Sequence, residues 1–317
     1  MRKKLFTHSK RLYKTIIVSI LILIISLIVF FLSFYIHQDK KSPPEILYLR
    51  EKKMDFNQYK NYFQTLAKNK GAEYAFRVLE RADLPLVVDL HLLGHFIGDE
   101  LFKQMGSEGM SYCTDALRNA CSHAIVINLF YQKGVHALEE IATACQTAPG
   151  HANSYRLCYH GLGHGVFAYA QYDLAKTIEL CKKTATKKHH GLEYPECIGG
   201  AVMEQISGGD HNKEIWRKQR LNNLNSNNPL NICYSLISDP EARIMCLSYL
   251  TPYLLEIEGK NSLIPSDQTI QRAFNHCNTI PLDEHQNRFG CYGGFGKEFT
   301  PLAKNKDIRN IETLTTE

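Results

Sequence analysis

Residues 158–181 read CYHGLGHGVFAYAQYDLAKTIELC. The spacing predicts a first helix from Cys158 to about Tyr169 and a second from Tyr172 to Cys181. In the second, Leu174, Ile178 and Cys181 recur at helical spacing, and Asp173 supplies an acid at the N-terminal turn. No alternation of apolar and polar residues and no Asn-Gly hairpin signal competes. The stretch is an αα-hairpin bounded by two cysteines, and the chain repeats it.

Set in register on its leading cysteine, the unit recurs as Cys121-Ser-His-Ala-Ile-Val-Ile, Cys197-Ile-Gly-Gly-Ala-Val-Met, Cys246-Leu-Ser-Tyr-Leu-Thr-Pro and Cys291-Tyr-Gly-Gly-Phe-Gly-Lys. Upstream, Asp89-Leu-His91-Leu-Leu-Gly-His95 follows the pattern with an aspartate in the cysteine's place. Successive units start 32, 37, 39, 49 and 45 residues apart. Periods in this range mean stacked supersecondary units. Arg118, Arg156, Arg243 and Arg288 stand two or three residues ahead of four of the five leading cysteines. Polar loops at 219–231 and 259–268 account for the longer periods. Residues 45–80 read as a helical lead-in, with Tyr59, Phe63, Leu66, Tyr74, Phe76 and Leu79 as its apolar positions.

The ten cysteines are Cys113, Cys121, Cys145, Cys158, Cys181, Cys197, Cys233, Cys246, Cys277 and Cys291. In chain order they form pairs separated by 8, 13, 16, 13 and 14 residues, with gaps of 24, 23, 36 and 31 between pairs. No CxxC occurs, so zinc-ribbon, thioredoxin-like and haem-attachment readings lack their spacing. An even count in alternating short and long steps points to five neighbour disulfides in an oxidising compartment. Free thiols in a reducing compartment are the alternative. Each bridge would tie the end of one unit to the start of the next. In this placement, and in the phrase Asp173-Leu-Ala-Lys-Thr-Ile-Glu-Leu-Cys181-Lys-Lys, the chain resembles the cysteine-rich Sel1-like repeat proteins. The resemblance implies a comparable architecture of disulfide-linked helical pairs; that family's first-helix signature and spacing are not reproduced.

The chain has 317 residues, 37 basic against 32 acidic, for a net +5. Apolar content of 44% and charged content of 22% describe a folded protein. Arg2, Lys3, Lys4, Lys10, Arg11 and Lys14 hold six positive charges with no acid among the first 14 residues. Without them 31 basic face 32 acidic residues, so the body carries no footprint for nucleic acid. Thr15 to Ile36 follow, 22 residues without a charge, enough as a helix to span a hydrocarbon core of about 30 Å. Bulky Phe34, Tyr35 and Ile36 end the run, which reads as an uncleaved signal-anchor. The basic flank keeps the N-terminus cytoplasmic and puts the rest in the periplasm or cell exterior.

The expected layout is a cytoplasmic flank at 1–14, a transmembrane anchor at 15–36 and a linker at 37–56. An extracytoplasmic helical repeat domain follows at 57–300, with a polar tail at 301–317. The fold class is all-α: an N-terminal transmembrane helix, then an αα-hairpin repeat array, solenoid-like and stapled by disulfides.

Five of the 14 histidines fall at matching register positions: His91, His123 and His160 two residues after the leading position, His95 and His164 four further on. In a helix, residues i and i+4 share a face, so each His-x-x-Gly-His element presents two imidazoles together. Such pairs hold zinc, copper or iron once a third ligand converges. The alternative is a structural role, donating to backbone carbonyls. Against it, the later units carry Gly199 and Met203, Ser248 and Pro252, and Gly293 and Lys297 at these positions. Neighbouring helices at about 8–10 Å favour His91, His95 and His123, or His123, His160 and His164, over a joining of the two outer pairs. Asp89, Asp99 and Glu100 are the nearby acids. Glu204 and Glu298 share the seventh position after a leading cysteine and read as exposed or capping. Gly161, Gly163, Gly165, Gly199, Gly200, Gly293, Gly294 and Gly296 read as close helix packing, and Lys187-Lys-His-His190 as a solvated loop. No Gly-x-Ser-x-Gly or His-Glu-x-x-His element occurs, and no residue is singled out as catalytic. Two functions stand side by side: a transition-metal site with redox or hydrolytic chemistry, and a scaffold in the cell envelope that binds a protein or peptide.

Overall fold

The computed structural model describes residues 20–21, 23–28, 43–85, 88–184, 191–208, 212–259 and 265–305, the side chains at 151–152 and 300–305 set aside. Compact units divide after Lys53. In the first, residues 20–21 and 23–28 are helical with exposed side chains. Pro44–Glu51 (α1) opens on a proline, whose fixed φ suits the first position of a helix. No described helix is long and apolar enough to cross a membrane. Most of the predicted span 15–36, the flank 1–14, Lys187-Lys-His-His190 and residues beyond 305 lie outside the described residues.

The second unit is built from helices, with no strand among the described residues. They are Phe56–Lys70 (α2), Ala72–Arg81 (α3), Leu90–Met105 (α4), Ala116–Lys133 (α5), Leu138–Thr147 (α6), His151–Tyr169 (α7) and Leu174–Thr184 (α8). Then come Glu193–Ser207 (α9), Lys213–Asn223 (α10), Asn231–Ser235 (α11), Pro240–Tyr249 (α12), Thr251–Glu258 (α13), Asp267–Asn278 (α14) and His285–Asn305 (α15). Short polar side chains start several of them. Asp55 and Gln58 form a capping box on α2. Asp89, Asn212, Asp239 and Ser266 accept backbone N–H groups at the starts of α4, α10, α12 and α14.

Four boundaries differ from the sequence reading, the first being α7, which starts at His151 rather than Cys158. Asp173 accepts the Lys176 N–H and so stands just ahead of α8, not within its first turn. The stretch 219–223, read as loop, is helical, because Arg217 to Leu221 are good helix formers and only Asn222 and Asn223 weaken the run. Likewise α15 continues to Asn305, through Leu302, Ala303 and Lys304.

The helices that carry the leading positions pack side by side in chain order: α4 on α5, α5 on α7, α7 on α9, α9 on α12 and α12 on α15. Shorter helices back this row, α6 against α5 and α7, α8 against α7 and α9, and α14 against α13 and α15. The core runs along the row through Ile97, Ile125, Phe130, Leu162, Phe167, Ile198, Val202, Leu247 and Phe295, all buried. At the leading end α2 and α3 pack on each other and on α4. Tyr59, Phe63, Leu66, Phe76 and Leu79 are buried there, while Tyr74 stays half-buried.

Disulfides join Cys113 to Cys121, Cys145 to Cys158, Cys181 to Cys197, Cys233 to Cys246 and Cys277 to Cys291, with Cα separations of 5.4–5.7 Å. All ten cysteines are buried, and the bridges indicate an oxidising, extracytoplasmic or secreted environment. Within the row the helices touch through glycines. A Cβ at Gly98 would lie 2.7 Å from the Ala124 Cβ, and one at Gly161 would lie 2.6 Å from the His123 Cα. Any side chain at either position would push the helices apart.

Candidate metal centre

The first three helices of the row carry the five histidines. His91 and His95 lie one turn apart on α4, His123 on α5, and His160 and His164 one turn apart on α7. Because α5 lies between α4 and α7, His123 falls between two pairs. Ring centroids are 4.7 Å apart in the first pair and 5.1 Å in the second. His123 lies 5.5 and 5.6 Å from the first pair, and 5.5 and 5.9 Å from the second. His95 and His164 approach to 6.4 Å, so all five rings form one cluster. This corrects the expectation that the outer pairs stay apart. Glycine contacts seat the helices more closely than ordinary side chains allow, and the rings lean in from both sides.

The start of α5 is unusual. Leu117, Arg118 and Asn119 are left-handed, at φ 54°, 56° and 62°. Left-handed backbone costs an L-residue roughly 1–2 kcal/mol, and such outliers gather at functional sites. This turn aims the Leu117 carbonyl at the His91 Nδ1, 2.6 Å away. With Nδ1 donating, the neutral ring keeps its Nε2 lone pair for the cluster. On the far side the Glu204 carboxylate accepts from the His164 Nδ1 at 3.0 Å, with the same result. Trp216 fixes that stretch of α9 by donating its indole N–H to the Glu204 carbonyl at 2.8 Å. Outer acceptors of this kind set the tautomer and orientation of ligating histidines.

The inward nitrogens meet the geometric demand of a metal. Nitrogens about 2.0–2.1 Å from a tetrahedral zinc lie roughly 3.3 Å from one another. The Nε2 atoms of His91 and His95 are 3.1 Å apart, and those of His160 and His164 are 3.3 Å apart. His91, His95 and His123 each offer a donor atom, all within 4.8 Å of one another. His123 is 2% exposed, and neither of its ring nitrogens has a hydrogen-bond partner. An unanswered buried polar atom costs about 1–3 kcal/mol, so two on one ring call for an occupant. The donor set fits zinc, copper or iron.

Electrostatics keep the donors neutral. Burial lowers the His91 pKa to about 4, the Arg118 charge adding to it and the Leu117 bond opposing. Burial first, then mutual repulsion with neighbouring imidazoles, holds His123 and His160 well below the ordinary range. Near neutral pH these rings are unprotonated, as coordination requires.

The acids proposed from sequence do other work. Asp89 caps α4, Asp99 accepts from Asn128 at 2.7 Å, and Glu100 pairs with Lys103 at 2.8 Å. Glu204, read as exposed or capping, is instead the carboxylate that touches the cluster. Tyr249 was not anticipated either: it stacks on His160 at 4.5 Å, and the Lys297 Nζ sits 3.3 Å from the same ring's centroid. Lys297 had a signal, since it fills the register position of His95 and His164. Tyr249 had none.

Set against known proteins, the chain matches no family model, no curated protein and no solved structure.

Proposed function

We propose that the chain is a membrane-anchored, extracytoplasmic helical-repeat protein whose histidine cluster holds a transition metal ion. His123 carries the reading: a buried imidazole with both nitrogens unpartnered, within donor reach of His91 and His95. Three imidazoles leave a coordination position for a small ligand, and an ion so held supplies Lewis acidity or a redox couple. The chain's own residues orient the rings through Leu117 and Glu204, and the buried setting keeps them unprotonated. Zinc, copper and iron all suit the donor set. The uncharged run from Thr15 to Ile36 supports the anchor, and the basic flank supports a cytoplasmic N-terminus. A linker at 37–56 and the array at 57–300 complete the layout. A scaffold for a protein or peptide would have no use for imidazoles turned inward on one another.

Full-length protein, purified in detergent with its disulfides oxidised, is exposed to Zn, Cu or Fe, desalted and assayed for metal. Retention of at least one ion per chain, lost in His123→Leu, is the expected result. A chain that emerges metal-free from all three ions overturns the proposal.

A further inference from the structure

We infer that the cluster is built for two metal ions, His123 bridging them as an imidazolate, one ion on His91 and His95 and the other on His160 and His164. The inference rests on the metal reading above and adds a second site to it. The two outer pairs share three features, although only His91 and His95 form with His123 a donor group lying within 4.8 Å throughout. Each spans one helical turn, sets its Nε2 atoms 3.1 or 3.3 Å apart, and has one outer nitrogen held by a carbonyl or carboxylate oxygen. His123 stands between them at nearly equal distance, with centroids 5.5 and 5.6 Å to one pair and 5.5 and 5.9 Å to the other.

A terminal histidine ligand spends one nitrogen on the metal and gives its other N–H to an acceptor. His91 and His164 follow that rule and the buried His160 Nδ1 does not, but His123 alone lacks a partner on both nitrogens. With a single ion its second nitrogen stays stranded in a buried site. A bridge uses both. Neutral His123 carries one ring proton; when the second ion takes that nitrogen, the proton leaves to solvent. The resulting negative ring lies between two cations and offsets their repulsion. Each ion then has three imidazole nitrogens, counting the shared ring.

Copper(II) is the test probe, added to the full chain in detergent with disulfides intact. We expect two ions per chain. Electron paramagnetic resonance should show an isolated copper signal at the first equivalent. At the second equivalent most of the integrated intensity should disappear, because an imidazolate couples the two spins antiferromagnetically. His164→Ala and His95→Ala, each at the periphery of the cluster and checked for an unchanged thermal melt, should each bind one ion with a full uncoupled signal. No copper bound sinks the metal reading itself. One ion per chain, or two ions at full uncoupled intensity, leaves that reading standing and overturns the bridge.

Discussion

His123 is the residue on which the site turns, and in the metal-free chain it is a burden. Neither nitrogen finds a partner, so an apolar side chain of similar size should suit the fold better. We expect His123→Leu to raise metal-free stability by roughly 1–3 kcal/mol while removing metal retention, read by urea unfolding and metal analysis. A less stable variant would mean that His123 already has its partners. Glu204→Ala should weaken metal affinity about 10–100-fold in competition with a chelator, and an unchanged affinity removes Glu204 from the site. Protonation adds a pH signature. Unfolded histidines titrate near 6.5, whereas folded His91 titrates near 4 and His123 and His160 lie well below 6.5. Between those values the unfolded chain binds more protons, so stability present above pH 6.5 is lost as pH falls toward 4. Melting of metal-free protein between pH 7.5 and 4.5 should show this decline, with a shallower slope in His91→Gln.

Among the elements, glycine positions separate packing from accident. Gly161 sits where a Cβ would strike the His123 backbone, so Gly161→Ala should cost about 1–3 kcal/mol and disturb metal uptake. Gly293 has open space where a Cβ would stand and lies inside α15, so Gly293→Ala should stabilise by up to about 1 kcal/mol. Paired denaturation curves with the two shifts in the same direction would contradict this contrast. The same contrast marks what could be read from sequence. Helices and neighbour cysteine pairs are local, carried by a periodicity of a few residues and gaps of 8–16, and the structure holds both. Close packing was legible at Gly161, while a Cβ added at Gly293 or Gly296 would meet nothing within 4 Å. The meeting of the outer histidine pairs was not legible, because it depends on interaxial distances that ordinary side chains would have made larger. Glu204 escaped for a related reason: it reaches His164 from a neighbouring helix, 40 residues along the chain. Register alone could not tell which way its carboxylate turns.

For the molecule as a whole, the bridges hold consecutive segments together but never distant ones. Each closes a loop of 8 to 16 residues, and for a loop of ~15 residues the chain-entropy model gives roughly 3 kcal/mol. The double variant Cys145→Ser with Cys158→Ser should lose about that much in urea unfolding, and an unchanged midpoint would show that helix packing alone holds this junction. The order of pairing has a consequence for biogenesis. Every first cysteine of a pair finds its mate in the next cysteine to emerge. A chain whose cysteines enter an oxidising space in N-to-C order, behind an N-terminus kept in the cytoplasm, would thus meet the correct sulfur before any competitor. Pairing in that order would need only a thiol oxidant, with no reshuffling of mispaired bridges.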